Sequence, residues 1–210
     1  MTKPVIGLVG AIGAGKSTAA AAFAARGGFV VDADRLGHEA LDAPEIRRQV
    51  LDRWGSRGNL LKPDGRLDRR AIAALVFADP AERAALEAIV FPQIRARAQD
   101  AIRNAQHDPT AKFVVVDAAV MLEAGWIDVC SRIVYVDASR ETRLARLAAR
   151  SGWTDADLTA REAAQWPAEK KMKRASAVIV NDGSREQLQE QVDRLLEQWE
   201  LEAARFEAHA

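Results

Sequence analysis

The stretch that decides the fold opens with Val5-Ile6-Gly7-Leu8-Val9, continues as Gly10-Ala11-Ile12-Gly13-Ala14-Gly15-Lys16-Ser17-Thr18, and ends in an alanine-rich run to Ala25. The apolar run predicts a buried strand, and the alanine-rich run predicts a helix. The residues between them match the spacing G-x-x-x-x-G-K-[ST] of phosphate-binding loops. In such a loop, backbone N–H groups and the positive end of the following helix point at one anion. The sequence therefore predicts a nucleoside triphosphate site formed by residues 10–18.

Two side chains of this loop have predicted roles in holding the nucleotide. Lys16 is expected to lie along the β- and γ-phosphates, and the hydroxyl of Ser17 is expected to hold Mg²⁺. The cofactors predicted from the loop are therefore a nucleoside triphosphate and Mg²⁺.

Composition and charge exclude several other classes of protein. The 210 residues suit one domain with a small insertion, and a hydrophobic content of 49% is enough for a packed core. Lys plus Arg equals Asp plus Glu at 30 each, so we expect no nucleic-acid and no membrane partner. No apolar run approaches the ~18 residues that a membrane span needs, and the early first strand argues against a signal peptide. With a single cysteine, Cys130, we expect a cytoplasmic enzyme for a small-molecule substrate, as a monomer or weak homo-oligomer.

Acidic residues end two further predicted strands. The strand at 29–31 leads into Asp32-Ala33-Asp34, and the strand at 113–116 leads into Asp117. Ligands of parallel α/β sheets collect at the carboxyl ends of strands. One of Asp32 and Asp34 is expected to cap the next helix. We expect Asp34 to accept a proton from an attacking hydroxyl and to hold Mg²⁺ through water. Asp117 is expected to hold a second Mg²⁺ or to position water.

The arrangement of the predicted elements indicates an α/β protein with two additions to its core. Five strands alternate with helices in residues 1–41, 110–150 and 176–210, which predicts a doubly wound parallel sheet. Residues 42–109 show only helical periodicity and are expected to form an inserted helical domain for the acceptor substrate, where Arg69 or Arg70 binds a substrate phosphate. Residues 151–175 are expected to form a basic lid that excludes water.

A predicted helix after Ser139 carries four arginines. They stand at positions 140, 143, 146 and 150, a spacing that places much of their charge on one side of a helix. Because Glu141 is the only acid between the first and the last of them, an anionic ligand is the expected partner.

The chain resembles the dephospho-CoA kinase family over nearly its full length. The residues that carry the resemblance are Ile6 to Thr18, Asp32-Ala33-Asp34 with His38, Trp54-Gly55, Asp64 to Arg69, Val76-Phe77, Arg146-Leu147 with Arg150, Gln165, Lys170, and Ile179, Asn181 and Gly183. The phosphate-binding loop by itself indicates only a kinase or an ATPase. The signature at 54–77, in the predicted insertion, makes the assignment specific.

The resemblance implies a three-layer P-loop kinase fold with an inserted substrate domain and a lid. It implies transfer of the γ-phosphoryl group of ATP to the ribose 3′-hydroxyl of dephospho-CoA, the last step of coenzyme A synthesis. In that reaction Asp34 would orient or deprotonate the hydroxyl, and Arg146 and Arg150 would support the transferring group. Asn181 and Gly183 would flank the adenine of ATP. The acceptor contacts implied are His38, Arg69, Phe91, Asp117 and Glu123.

Four positions depart from the family pattern, and two other functions remain open. The pattern has histidine, proline, glutamine and aspartate where this chain has Phe91, Ala119, Arg143 and Ser176. The first alternative is a divergent P-loop kinase for another nucleotide or a small hydroxyl compound, which Phe91 and Ala119 favour. The second is a nucleotide-binding switch protein with slow turnover. Asp34 and the arginine-rich lid argue against a switch, because a switch needs neither.

Overall fold

Strands and helices alternate along the computed structural model, which describes residues 2–77, 79–118, 121–122 and 124–207. The strands are β1 Val5–Gly10, β2 Gly28–Asp32, β3 Phe113–Asp117, β4 Arg132–Asp137 and β5 Ala177–Val180. The helices are α1 Lys16–Ala24, α2 Ala33–Leu41, α3 Pro44–Trp54, α4 Arg69–Phe77, α5 Pro80–His107, α6 Arg140–Ser151, α7 Asp155–Glu162, α8 Ala168–Met172 and α9 Arg185–Glu207. None of the helices within this described part combines the length and the apolar character needed to cross a bilayer.

The strands form one sheet in the order β2-β3-β1-β4-β5. β1 pairs in parallel with both β3 and β4, and β4 pairs in parallel with β5. All six residues of β1 are buried, as expected for a central strand of a parallel sheet. The predicted five-stranded parallel α/β fold is confirmed. Because β1 lies between β3 and β4, the loop that follows it emerges beside the ends of those two strands.

Helices α1 and α9 cover one face of this sheet. Ile6 and Leu8 of β1 point to that face and pack with Phe23 of α1 and Val192 of α9. The ring of Phe23 meets that of Phe113 edge-on, with centroids 6.2 Å apart. This packing fixes the first turn of α1, where Lys16 and Ser17 lie, at the carboxyl end of β1.

The chain divides into two compact units. The first comprises residues 1–31 and 102–210, and the second comprises residues 32–101. The second unit contains α2 to α4 and most of α5. Between α3 and α4, an antiparallel bridge pairs Leu61 with Leu67 and closes the turn that joins these two residues. Within the described residues, the regular structure of this unit is helical apart from that bridge and the last residue of β2. The predicted insertion has other bounds, residues 42–109, and its role as the acceptor domain stays a prediction. Helix α5 continues through Pro92.

Glu82 organises the packing inside the second unit. Its Oε2 accepts hydrogen bonds from Trp54 Nε1 at 2.8 Å and from Arg53 Nε at 3.1 Å, and its Oε1 lies 2.7 Å from Arg57 Nη1. Trp54 is 1% exposed, so its indole N–H has to find its partner within the protein. The hydrogen bond from Trp54, followed by that from Arg57, holds the pKa of the Glu82 carboxyl below its ordinary value of 4.5.

We expect Glu82→Gln to lower the thermal unfolding midpoint at pH 7 by several degrees, because the charge that pairs with both arginines is lost. A carboxyl with a lowered folded pKa stabilises the fold above its unfolded pKa, and this contribution disappears as the pH falls through the folded value. The difference from the wild type should therefore shrink below pH 4.5. Glu45→Gln, which removes an exposed pair with Arg48, is the matched control and should change little. Equal losses in the two variants would contradict this account.

Candidate active site

The loop after β1 has the backbone of an anion-binding nest. Gly13 and Gly15 have φ angles of +80° and +90°, and Gly15 caps α1 in the left-handed conformation. Ala14 lies between them, is fully buried, and donates its N–H to the carbonyl of Ala11 at 3.1 Å. Left-handed residues on both sides of Ala14 turn peptide N–H groups towards the N-terminus of α1, where the helix dipole also favours negative charge. The loop can therefore hold the phosphates that the sequence predicted.

The carbonyl of Ala14 is held from the outer side of the loop. It accepts a hydrogen bond from Asn181 Nδ2 at 2.8 Å and a longer one from Arg146 Nη1 at 3.4 Å. Arg146 Nη2 also donates to the carbonyl of Asn181 at 2.8 Å. Asn181 is 5% exposed. The family resemblance implies that Asn181 flanks the adenine, which stays a prediction; in the structure its side-chain amide holds the loop.

We expect Gly15→Ala to weaken MgATP binding by at least about tenfold. A Cβ at this position would lie 2.2 Å from Asn181 Nδ2, and a left-handed alanine costs roughly 1–2 kcal/mol by itself. Gly125→Ala is the matched control, because Gly125 also has a positive φ, +72°, but nothing lies within 4 Å of an added Cβ. Calorimetric titration of both variants with MgATP is the measurement. Unchanged affinity in Gly15→Ala would contradict the described loop geometry.

Ser17 and Asp117 form an oxygen-rich pair beside the loop. Ser17 Oγ donates to Asp117 Oδ2 at 3.1 Å, and Asp117 ends β3 with 8% exposure. Among the described residues, no group of three His, Cys, Asp or Glu could hold a metal ion unaided. Mg²⁺ is commonly held by one or two protein oxygens together with phosphates and water, which this pair fits. The remaining predicted loop residues, Gly10, Ile12 and Thr18, lie in the same segment.

The four arginines of α6 separate into different environments. Arg140 bonds to Asp155 and Glu162 of α7, at 2.8 and 2.7 Å. Arg146 faces the loop, as described above, whereas Arg150 is exposed in the last turn of α6. Because Glu141 is the only acid between positions 140 and 150, an anionic ligand was the expected partner, but the partners of Arg140 are these two acids of α7. The α7 acids follow later in the chain.

A cleft of about 240 Å³ lies between the loop and the segment predicted to form a lid, residues 151–175. It is lined by Ala11 and Ile12 and by lid residues 162, 165–168 and 171. Lys171 is 2% exposed and donates to Gln165 Oε1 at 2.8 Å, whereas Lys170 lies over the ring of Trp166. The sequence grouped both lysines on a basic lid. Lys171 is buried only because of the orientation of α8. The sequence composition therefore gave no signal that the two lysines differ.

The second unit holds four of the predicted acceptor residues, Asp34 and His38 on α2, Arg69 on α4 and Phe91 on α5. Asp32 Oδ1 accepts from the N–H of Arg35 at 2.8 Å and so caps α2, while Asp34 is exposed in the first turn. One of the two acids was expected to be a cap, and it is Asp32. Arg69 Nη2 donates to the carbonyl of His38 at 3.2 Å, so the structure brings these two predicted residues together.

Several remaining predicted positions have simpler surroundings. Phe91 is half-buried on α5, and Gly183 lies in the exposed turn before α9. Ser176 Oγ accepts from the N–H of Ile133 at 3.1 Å, which gives this departure from the family pattern a role at the start of β5. Glu123 and Ala119 lie outside the described residues.

Comparison with known proteins identifies the family. The sequence profile of CoaE, dephospho-CoA kinase, matches residues 4–187. A dephospho-CoA kinase from Synechococcus sp. (strain CC9902) is 40% identical over 194 residues, which cover 91% of this chain and 94% of the relative.

Two solved structures are similar in fold. A crystal structure of TT1252 from Thermus thermophilus has a TM-score of 0.77 at 36% identity and covers 94% of this chain and 98% of the other. A dephospho-CoA kinase from Campylobacter jejuni has a TM-score of 0.68 at 22% identity and covers 92% of this chain and 96% of the other. With a matching loop, sheet and profile, the chain belongs to the dephospho-CoA kinase family.

Proposed function

We propose that the chain transfers the γ-phosphoryl group of ATP to the ribose 3′-hydroxyl of dephospho-CoA, giving CoA and ADP. The observation that carries the proposal is a braced phosphate loop beside the Ser17–Asp117 oxygen pair, in a chain of this family. Phosphoryl transfer depends mainly on positioning and electrostatic stabilisation, and this arrangement supplies both.

The nucleotide half of the proposal uses residues of the first unit. Backbone N–H groups of the loop and the Lys16 ammonium bind the β- and γ-phosphates. Ser17 and Asp117 hold Mg²⁺, which would neutralise phosphate charge when bound. Arg146 already lies against the loop, and its charge stabilises negative charge on the transferring group. Because the side-chain amide of Asn181 is hydrogen-bonded to the loop, the backbone of residues 181–183 contacts the adenine.

The acceptor half of the proposal uses residues predicted from the sequence. Asp34 orients the 3′-hydroxyl, accepts its proton, and contacts Mg²⁺ through water. Arg69 and His38 bind acceptor phosphate or ribose, and Phe91 and Glu123 contact the acceptor. Arg150 joins Arg146 when the lid closes, and closure excludes water from the reaction.

The first experiment measures ADP release from MgATP with dephospho-CoA, AMP, CMP, adenosine or no acceptor. The proposal is supported if ADP release is fast with dephospho-CoA and with none of the other acceptors, and if EDTA abolishes it by removing Mg²⁺. A high rate with another acceptor would instead support a divergent kinase, with Phe91 as the first position to revert. Tight ATP binding without turnover on any acceptor would support a switch protein.

A further inference from the structure

Arg143 of α6 is a buried arginine that contacts both the phosphate loop and the lid. Its side chain is almost fully buried, and its Nε donates to the carbonyl of Ala138 at 3.1 Å. Its Nη1 donates to the carbonyl of Ile12 at 3.3 Å and also pairs with Glu162 Oε1. The guanidinium thus holds one end of α6 and one peptide of the loop in a fixed relation.

The Ile12 carbonyl and the Gly13 N–H belong to the same peptide group. In a trans peptide these two groups point in opposite directions, so a carbonyl held from outside turns the N–H to the inner side of the loop. Asn181 acts in the same way on the peptide between Ala14 and Gly15. It holds the Ala14 carbonyl, so the Gly15 N–H points inwards. Two alternate peptides of the nest are therefore braced from outside.

The conformational freedom of Gly13 explains why the peptide between Ile12 and Gly13 needs to be held. Glycine adopts positive and negative φ with similar ease, so an unrestrained peptide before Gly13 can rotate and turn its N–H away from the phosphates. The glycine is also required, because a Cβ there would lie 2.9 Å from Leu147 Cδ1 and 3.1 Å from the Arg143 carbonyl. Because α6 lies so close, position 13 cannot carry a side chain that would restrict its φ angle. The hydrogen bond from Arg143 restricts the rotation of this peptide instead.

Glu162 makes a buried guanidinium tolerable at this position. A buried charge is costly unless it is paired and hydrogen-bonded. Burial raises the pKa of the Glu162 carboxyl, but hydrogen bonds from Arg143 and Arg140 outweigh it and hold that pKa below its ordinary value. The carboxylate is therefore charged at neutral pH, and the Arg143 N–H groups remain directed at the two carbonyls.

We propose that Arg143 is a positioning residue of the phosphate loop: it holds the Ile12 carbonyl so that the Gly13 N–H faces the phosphates of the bound nucleotide. The proposal deepens the proposed function and rests on its nucleotide-binding half alone. Binding of inorganic triphosphate, with no acceptor present, tests it separately from the kinase reaction.

The experiment compares Arg143→Met with Arg140→Met. Both variants lose a bond to Glu162 from the same helix, but only Arg143 contacts the loop. We expect Arg143→Met to weaken the binding of MgATP and of inorganic triphosphate by about tenfold, the usual worth of a charged hydrogen bond. Arg140→Met should stay within about twofold of the wild type, on the scale of an exposed ion pair. Should Arg143→Met fail to fold, Arg143→Lys, which keeps the charge but not the two-armed contact, should show an intermediate loss.

The amide resonances of Gly13 and Gly15 give a readout that a general loss of stability would not move. When triphosphate is added, both amide protons should shift downfield in the wild type. In Arg143→Met the shift of Gly13 should decrease while that of Gly15, braced by Asn181, persists. Equal decreases at both glycines, wild-type affinity in Arg143→Met, or the same loss in Arg140→Met would each overturn the proposal.

Discussion

Replacement of Lys16 by methionine is expected to lower kcat/KM for ATP by about 10³-fold, the upper range for loss of one preorganised donor at a developing charge. Lys16 is the first residue of α1, directly after the left-handed Gly15, and is half-buried. Its ammonium would lie along the β- and γ-phosphates of the bound nucleotide. Methionine nearly matches the length of the side chain but lacks its charge and N–H donors, and because it is a good helix former the helix should persist.

Lys112→Met is the matched control for the loss of one lysine charge. Lys112 is exposed and precedes β3, so it lies at the amino end of the sheet, opposite the phosphate loop. Its kinetics should match those of the wild type. Wild-type turnover in Lys16→Met would contradict the assignment of the loop.

Asp34→Asn is expected to lower kcat by about 10²-fold or more while leaving the affinity for ATP nearly intact, on the scale of general-base catalysis. Asparagine preserves the shape of the side chain and removes its ability to accept the hydroxyl proton. Asp34 lies in the first turn of α2 and is exposed, while the neighbouring Asp32 is occupied as the helix cap. The capping bond therefore gives Asp32 the structural role, and Asp34 is the acid that we propose as the base.

Asp32→Asn provides the control at the same strand end. Asparagine caps helices about as well as aspartate, so folding and kcat should both remain close to wild type. Single-turnover kinetics separate the chemical step from ATP binding in each variant. A normal kcat in Asp34→Asn would contradict the proposed base, and Asp117 would then be the next acid to replace.

Local signals predicted most of the fold. The limits of α3 and α4 follow from Pro44 at the first position of one helix and Asp68 before the other, whose Oδ1 accepts from Arg70 N at 2.9 Å. Buried apolar runs likewise predicted the five strands. The order of the strands was not predicted, because the pairing of β1 with β3 joins segments about a hundred residues apart in the chain and depends on packing that spacing does not encode.

The candidate site was predictable where a motif fixes the backbone and unpredictable where partners come from elsewhere. The loop glycines were found because their spacing is local. The pairing of Ser17 with Asp117, the brace from Asn181, and the burial of Lys171 all depend on tertiary contacts. Arg143 stood out in the sequence as one of four helix arginines and as a departure from the family pattern, but its contact with Ile12 depends on the fold.

The most direct test of the central claim follows the phosphoryl group itself. ATP radiolabelled in the γ-phosphoryl group is incubated with Mg²⁺, dephospho-CoA and the protein, and the product is treated with a nucleotidase specific for 3′-phosphates. The account predicts that the label appears in CoA in equal amount to the ADP formed and is released completely by the nucleotidase. Label found only in inorganic phosphate, or on an acceptor position that resists the nucleotidase, would contradict it.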